Sequence, residues 1–375
     1  MKAILAIDSF KGCLTSEQAE NAALSAFKEG DAAAFPVSDG GEGFSTIVTQ
    51  LLGGSFKTVD CADPLGRPMK ARYGISRSGR IAVICTADAS GLGLVREDER
   101  NPLAESSYGT GQLMADALDE GVEEIWLGLG GTATCDGGTG MLQALGYRFM
   151  APGGMLEPWR TVLGNIQSID SSKRNKGLQD CRITGFYDVS VPFYGEGGAT
   201  RMFGPQKGAG PEMVDALDNW MAQLCNAYSR FAGREIRNIP GSGAAGGIGG
   251  ALRACFRATM SPGTWQVLDL AGFGNALDSC SVVITGEGRS DRQTLQGKVP
   301  MGVLDYVRKY DSECRCGRQT KVILMAGSVS DKDLLLDAGF SKVIQVTPDG
   351  MPLSEAMIPD VAERNIRDAM AEIEI

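Results

Sequence analysis

The chain has 375 residues, with 36 Lys and Arg against 46 Asp and Glu for a formal charge of −10, and no histidine. Without an imidazole it cannot build a Ser-His-Asp or Cys-His nucleophile, an H-E-x-x-H zinc site or the H-R-D loop of a protein kinase, so acid–base work falls to Asp, Glu, Lys, Tyr or Cys. An acidic chain also lacks the basic field that draws nucleic acids and anionic membranes, and neither is expected as a partner.

The elements follow in chain order. Ala3–Ile7 reads as a buried strand, too short for the apolar core of a signal sequence and followed at once by Asp8. No 18-residue apolar stretch exists anywhere, so a cytoplasmic location is expected. Thr15-Ser16-Glu17-Gln18 fits a capping box, and Ala19, Ala22, Ala23, Ala26 and Phe27 then share one helical face as far as Gly30. A second strand–helix step is expected from 33–37 through Ser38-Asp39-Gly40-Gly41-Glu42-Gly43 into 44–52. The middle of the chain is less regular, with a strand over 124–127, a glycine-rich turn, a short helix over 141–145 and a long one over Pro211–Ala232. Regular grammar returns at the end. A strand over 282–285 leads into a loop over 286–299 and a helix from about 300; a strand over 321–325 precedes a helix to 338; a last strand covers 342–346.

Alternating strands and helices favour an α/β protein with a largely parallel sheet, and this length favours two domains. The predicted arrangement is a Rossmann- or flavodoxin-like parallel-sheet domain built from both chain ends, 1–78 with 280–375, and a second α/β domain inserted over 79–279. The ten cysteines are scattered mostly through apolar runs, as reduced core thiols are, and Cys314-Arg315-Cys316 is a poor zinc signal.

In open parallel sheets ligands bind beyond the carboxyl ends of the strands. The polar clusters Asp8-Ser9-Phe10-Lys11, Ser38-Asp39 and Thr285-Gly286-Glu287-Gly288-Arg289-Ser290-Asp291 all fall at such ends and are expected to face one crevice. Gly128-Leu129-Gly130-Gly131-Thr132-Ala133, followed by Asp136-Gly137-Gly138, suits polyphosphate, because glycine lets backbone amides approach an anion closely. Gly241-Ser242-Gly243-Ala244-Ala245-Gly246 matches G-x-G-x-x-G, but Arg237-Asn238-Ile239-Pro240 before it is a poor strand. No G-x-x-x-x-G-K-[ST] occurs, which excludes a P-loop. Lys207, in Phe203-Gly204-Pro205-Gln206-Lys207-Gly208, offers a point charge, and Arg67, in Asp63-Pro64-Leu65-Gly66-Arg67, a planar fork for a carboxylate.

These motifs, with Tyr108-Gly109-Thr110-Gly111, Gly130-Gly131-Thr132-Ala133-Thr134-Cys135-Asp136-Gly137-Gly138 and Gly243-Ala244-Ala245-Gly246-Gly247, together resemble the bacterial glycerate kinases of the type-I family, in the same order from residue 1 to about 360. The resemblance implies an ATP-dependent kinase of D-glycerate, usually acting at the 2-hydroxyl, with two α/β domains and a cleft. Three positions depart from the family's usual polar residues: Cys85, Cys135 and Val191.

On that resemblance, Gly130, Gly131, Thr132, Asp136, Gly137 and Gly138 are assigned to the nucleotide phosphates, with Lys207 and Lys298 as cations. Glu287 and Asp291 are assigned to Mg²⁺, which prefers one or two carboxylates with waters and phosphate oxygens. Asp188 or Asp39 is the expected base. Lys11 and Arg67 are expected on the glycerate carboxylate and Ser38 or Ser90 on its hydroxyls; Asp8 also faces substrate, although Asp8 and Asp39 serve equally well as helix caps. Two rival readings are an NAD(P)-dependent hydroxy-acid oxidoreductase and a non-catalytic nucleotide or carboxylate sensor. A homodimer is compatible with the sequence, but no heptad or apolar helix face specifies one.

Overall fold

The computed structural model describes residues 3–41, 43–159, 162–187, 189–314, 319–371 and 373. Its strands in chain order are β1 (Ala3–Ile7), β2 (Ala32–Ala34), β3 (Ser55–Ala62), β4 (Pro68–Ile75), β5 (Ile81–Cys85), β6 (Glu124–Gly128), β7 (Arg148–Ala151), β8 (Gly154–Met155), β9 (Ser168–Asp170), β10 (Arg182–Tyr187), β11 (Thr259–Pro262), β12 (Val282–Ser290), β13 (Lys321–Val329) and β14 (Lys342–Gln345). The chain divides into two compact units, Met1–Asp39 with Thr264–Ile375, and Gly40–Gly263.

The first unit is a five-stranded sheet in the order β14-β13-β12-β1-β2, every pair parallel. Counted within the unit this is 2-1-3-4-5, the flavodoxin-like order, whose switch point lies between β1 and β12. All five residues of β1 are buried. Alternation sends Ile4 and Ala6 to one face, under Val299, Val303, Leu304 and Val307 of the helix Val299–Glu313. Ala3, Leu5 and Ile7 go to the other, where Ala19, Ala22 and Ala23 of the helix Ser16–Leu24 and Ile366 and Met370 of the helix Pro359–Ala371 cover them.

The second unit holds a six-stranded mixed sheet, β11-β10-β6-β5-β4-β3, parallel from β11 to β5 and antiparallel through β4 and β3, and a small antiparallel sheet, β8-β7-β9. The hairpin β3–β4 turns at Asp63–Arg67, where Asp63 accepts the amides of Leu65 and Arg67. The long helix is Pro211–Ala232, opened by proline and closed by Gly233 at φ 68°.

Two features differ from the sequence reading. The helix Phe44–Leu51 does not return to the sheet of β2: it packs on the second unit's sheet, with Phe44 5.3 Å from the Phe186 ring and Thr49 so close to β4 that a Cβ on Gly74 would lie 1.6 Å from its hydroxyl. The division therefore falls at 39/40 and 263/264, and residues 40–78 join the second unit through β3, β4 and this helix. Second, 286–290 is strand rather than loop, since β12 stays paired with β13 as far as Ser290↔Val329. Glycine permits this: a Cβ on Gly286 would lie 2.4 Å from the Met325 carbonyl oxygen.

Candidate active site

In the first unit the polar residues gather at the carboxyl ends of β1 and β12, the switch point of the sheet. The Asp8 amide donates to the Gly286 carbonyl at 2.9 Å, tying the two strand ends together. Burial and then the charge of Asp39 push the Asp8 carboxyl up to about 7, against a lowering by the Ser9 amide and Lys11; Glu287 adds a smaller raising effect. Asp8, Lys11, Asp39 and Glu287 are thus in electrostatic reach of one another. Lys11 is exposed, whereas Ser38 is buried and its hydroxyl has no hydrogen-bond partner among the described residues.

The pair expected to bind metal is engaged elsewhere. Glu287 is buried; one oxygen accepts from the hydroxyls of Ser290 at 3.0 Å and Thr294 at 2.6 Å, and the other pairs with Lys298 at 3.1 Å. Asp291 accepts the Gln293 amide at 2.8 Å and pairs with Arg289 at 3.3 Å. Among the described residues no group of three or more carboxylates and thiols could hold a metal ion.

In the second unit the turn after β6 is held on both sides. The Thr86 hydroxyl bonds the Gly130 carbonyl and amide, the Leu92 amide donates to the Gly131 carbonyl, and the Ala133 amide donates to the Ser90 carbonyl. Gly131, at φ 67°, is the exposed tip. Lys207 is 3% exposed and its ammonium donates to the Thr132 hydroxyl at 3.3 Å and the Thr134 carbonyl at 2.8 Å. A buried cation is thereby fixed beside a glycine turn whose tip is open.

The next three residues are already committed to holding the fold. The buried Asp136 carboxylate accepts the amides of Ser107, Gly138 and Gly140 and the Ser107 hydroxyl, all within 3.1 Å. The Gly137 amide donates to the Gly246 carbonyl. The amides of Gly137 and Gly138 are therefore spent within the protein, which corrects their expected use on phosphate. Ser90 is also internal, its hydroxyl 2.8 Å from that of Thr110. The Arg67 fork is filled by Asp63, Glu99 and the Leu94 carbonyl, so it is not the open carboxylate clamp expected of it. Asp188 lies outside the described residues.

The segment 241–247 follows turns rather than a strand, and its glycines serve close packing, since a Cβ on Gly246 would lie 2.0 Å from the Thr134 carbonyl oxygen. Among the described residues no strand leads into the Gly241 loop, so the strand–turn–helix context that the oxidoreductase reading wanted there is absent.

The glycerate kinase family model matches residues 3–374. The chain belongs to the glycerate kinase family. A glycerate kinase of Halalkalibacterium halodurans is 40% identical over 97% of this chain and 96% of its own length. A glycerate 2-kinase of Escherichia coli is 38% identical over 88% of this chain and 86% of its own. A crystal structure of a putative glycerate kinase 2 from Salmonella typhimurium superposes with a TM-score of 0.77 at 37% identity, covering 99% of this chain and 96% of that one. Membership assigns the chain to the kinases, and no helix among its described residues is long and apolar enough to cross a membrane.

The three departures from the family pattern are buried in the second unit. The Cys85 thiol donates to the Gly41 carbonyl at 3.0 Å, Cys135 packs beside Leu103 and Ala209, and Val191 accepts the Gly243 amide through its backbone. One functional candidate escaped the sequence altogether. Glu105 sits 1% exposed near Lys207, and nothing in Ala104-Glu105-Ser106-Ser107 marks a glutamate that only tertiary packing buries.

Proposed function

We propose that this chain transfers the γ-phosphoryl group of ATP to a hydroxyl of D-glycerate, giving 2-phosphoglycerate and ADP. The observation that carries the reading is the buried Lys207 ammonium fixed against the Gly130–Thr132 turn, in a chain whose relatives at this identity are glycerate kinases.

Phosphoryl transfer asks a protein for positioning and for stabilisation of charge on the phosphoryl oxygens. Lys207 and the tip amide at Gly131 supply positive charge without reorganisation, because Thr132 and Thr134 already hold the ammonium. Lys298 is the second cation, held by Glu287. The raised Asp8, beside Asp39, accepts a hydroxyl proton at neutral pH, since a base works best when its pKa lies near the working pH. Asp188 is the other candidate base. Lys11, exposed beyond β1, is assigned to the glycerate carboxylate, and the Ser38 hydroxyl has hydrogen-bonding capacity for substrate. Mg²⁺ neutralises phosphate charge when it accompanies ATP, but Glu287 and Asp291 as arranged do not fit it, and none of these steps depends on it.

The test is turnover of D-glycerate in an ADP-release assay, with the product identified by phosphorus NMR. Lys11→Ala and Asp188→Asn are each expected to lower kcat/KM by about 100-fold or more with little change in melting temperature. In the wild type kcat/KM for D-glycerate, at saturating ATP, should rise with pH and level off above about 7, as Asp8 sheds its proton. Unchanged turnover in both variants removes the role assignments, and ATP binding without ADP release favours the sensor reading.

A further inference from the structure

Behind the Lys207 turn lies a second charged side chain that phosphoryl transfer does not itself call on. Glu105 is as deeply buried as any charged residue among those described, and only one of its oxygens is used: Oε1 accepts the Asn101 amide at 3.0 Å, while Oε2 has no partner among the described residues. The neighbouring Thr134 hydroxyl is likewise buried without a partner, and Lys207 spends two of its three N–H bonds on Thr132 and Thr134, leaving the third without one among the described residues. The segment carrying Glu105 is pressed against the segment carrying Lys207. Arg100 donates to the Gln206 carbonyl at 3.3 Å, and a Cβ on Gly208, at φ 93°, would lie 2.5 Å from the Arg100 carbonyl oxygen. A buried ammonium and a buried, half-satisfied carboxyl are therefore held in fixed relation with a donor and an acceptor to spare.

We infer that Glu105 is the positioning residue of Lys207, the counter-ion that steadies the buried ammonium until a phosphate anion takes over that role. The inference rests on the reading of this turn as a phosphate site. Its physical basis is charge balance. An ammonium removed from water requires a negative partner. When a polyphosphate supplies that partner, an ionised Glu105 becomes a like charge in a poorly solvated place and takes up a proton from solvent, its carboxylate becoming a carboxylic acid. The groups around it already bring it near that point. Burial raises the Glu105 carboxyl to about 7; the Asn101 amide, Lys207 and Arg100 pull it down, and Asp136 pushes it up. Cys135, buried among Lys207, Glu105 and Asp136, stays a neutral thiol because burial raises it.

The experiment is calorimetric titration of the full chain with metal-free ATP between pH 7.5 and 8.5, in buffers of different ionisation enthalpy. The wild type should take up as much as one proton more than Glu105→Gln, with Kd rising about tenfold over that pH unit while the variant stays within about twofold. Glu105→Asp should restore the slope. A residue that only filled space would not move it. Equal slopes in wild type and Glu105→Gln overturn the inference while leaving the phosphate turn standing, provided that Lys207→Met loses ATP affinity. Full affinity in Lys207→Met overturns both. Should Glu105→Gln fail to fold, the buffer dependence of the wild type still decides, and no proton uptake in it overturns the inference.

Discussion

Asp136 and Asp8 each stand in a loop beyond the carboxyl end of a strand, and their surroundings could hardly differ more. Asp136 is met by three amides and a hydroxyl, so that its charge is fully spent on holding the start of the helix Thr139–Ala144 to Ser107. Asp8 meets one amide, that of Ser9, together with the repelling charge of Asp39. The contrast separates a carboxylate that builds from one that can react: the first has no capacity left for a substrate, and the second is held in a state that a proton, cation or ligand donor would relieve.

Four substitutions probe that contrast. The largest effect belongs to Asp136→Ala, which strands buried donors; a loss of about 4 kcal/mol or more is expected in urea unfolding. A variant within 1 kcal/mol of wild type would break the comparison. Next comes Lys207→Met, which replaces a buried ammonium by an apolar side chain of similar length. Stability should hold or rise, whereas kcat/KM for ATP should fall about 100-fold, close to 2.7 kcal/mol of transition-state binding. Glu20 adds a third carboxyl at the end of β1. It accepts the Ile7 amide at 3.3 Å, and burial pushes it up to about 8. Its neutral form is the one the fold prefers, so its contribution is complete below the ordinary glutamate range near 4.5 and is lost as pH rises through about 8. Glu20→Gln should therefore raise the melting temperature at pH 8.5, by about 1–2 kcal/mol of stability, and leave it unchanged at pH 4. Ser38→Ala should have the smallest effect, within about 0.5 kcal/mol on stability because no bond is lost, with a several-fold rise in KM for glycerate.

Local grammar was the legible part of the fold. Thr15 and Gln18 do close a capping box, because both bonds lie within four residues. The helix Pro211–Ala232 has its predicted ends, because proline and glycine act at single positions. Long-range packing was not legible. Residues 33–52 read as one strand–helix step, yet the helix answers to Gly74 and Phe186, far along the chain. Likewise 286–290 reads as a loop from its glycines and is a strand because β13 lies beside it. The same limit applies to the site. Lys207 and the 130–132 turn could be singled out by residue type and neighbours, but that Asp136 and Arg67 are already engaged, and that Glu105 is buried, depends on partners such as Ser107, Glu99 and the segment around Lys207.

The register of β1 carries a consequence for biosynthesis. β1 is flanked by β2 and by β12, whose first residue is Val282, and β12 in turn needs β13 from Lys321. The described strands of residues 40–263, by contrast, pair only with one another. During synthesis β1 can meet β2 early but must wait for β12 until the intervening unit has been made, so one edge of Ala3–Ile7 stays unpaired while that unit folds ahead of it. Nascent chains stalled with residues 40–263 clear of the ribosome but β12 not yet released should accordingly be protease-resistant over 40–263 and cleaved within 3–39.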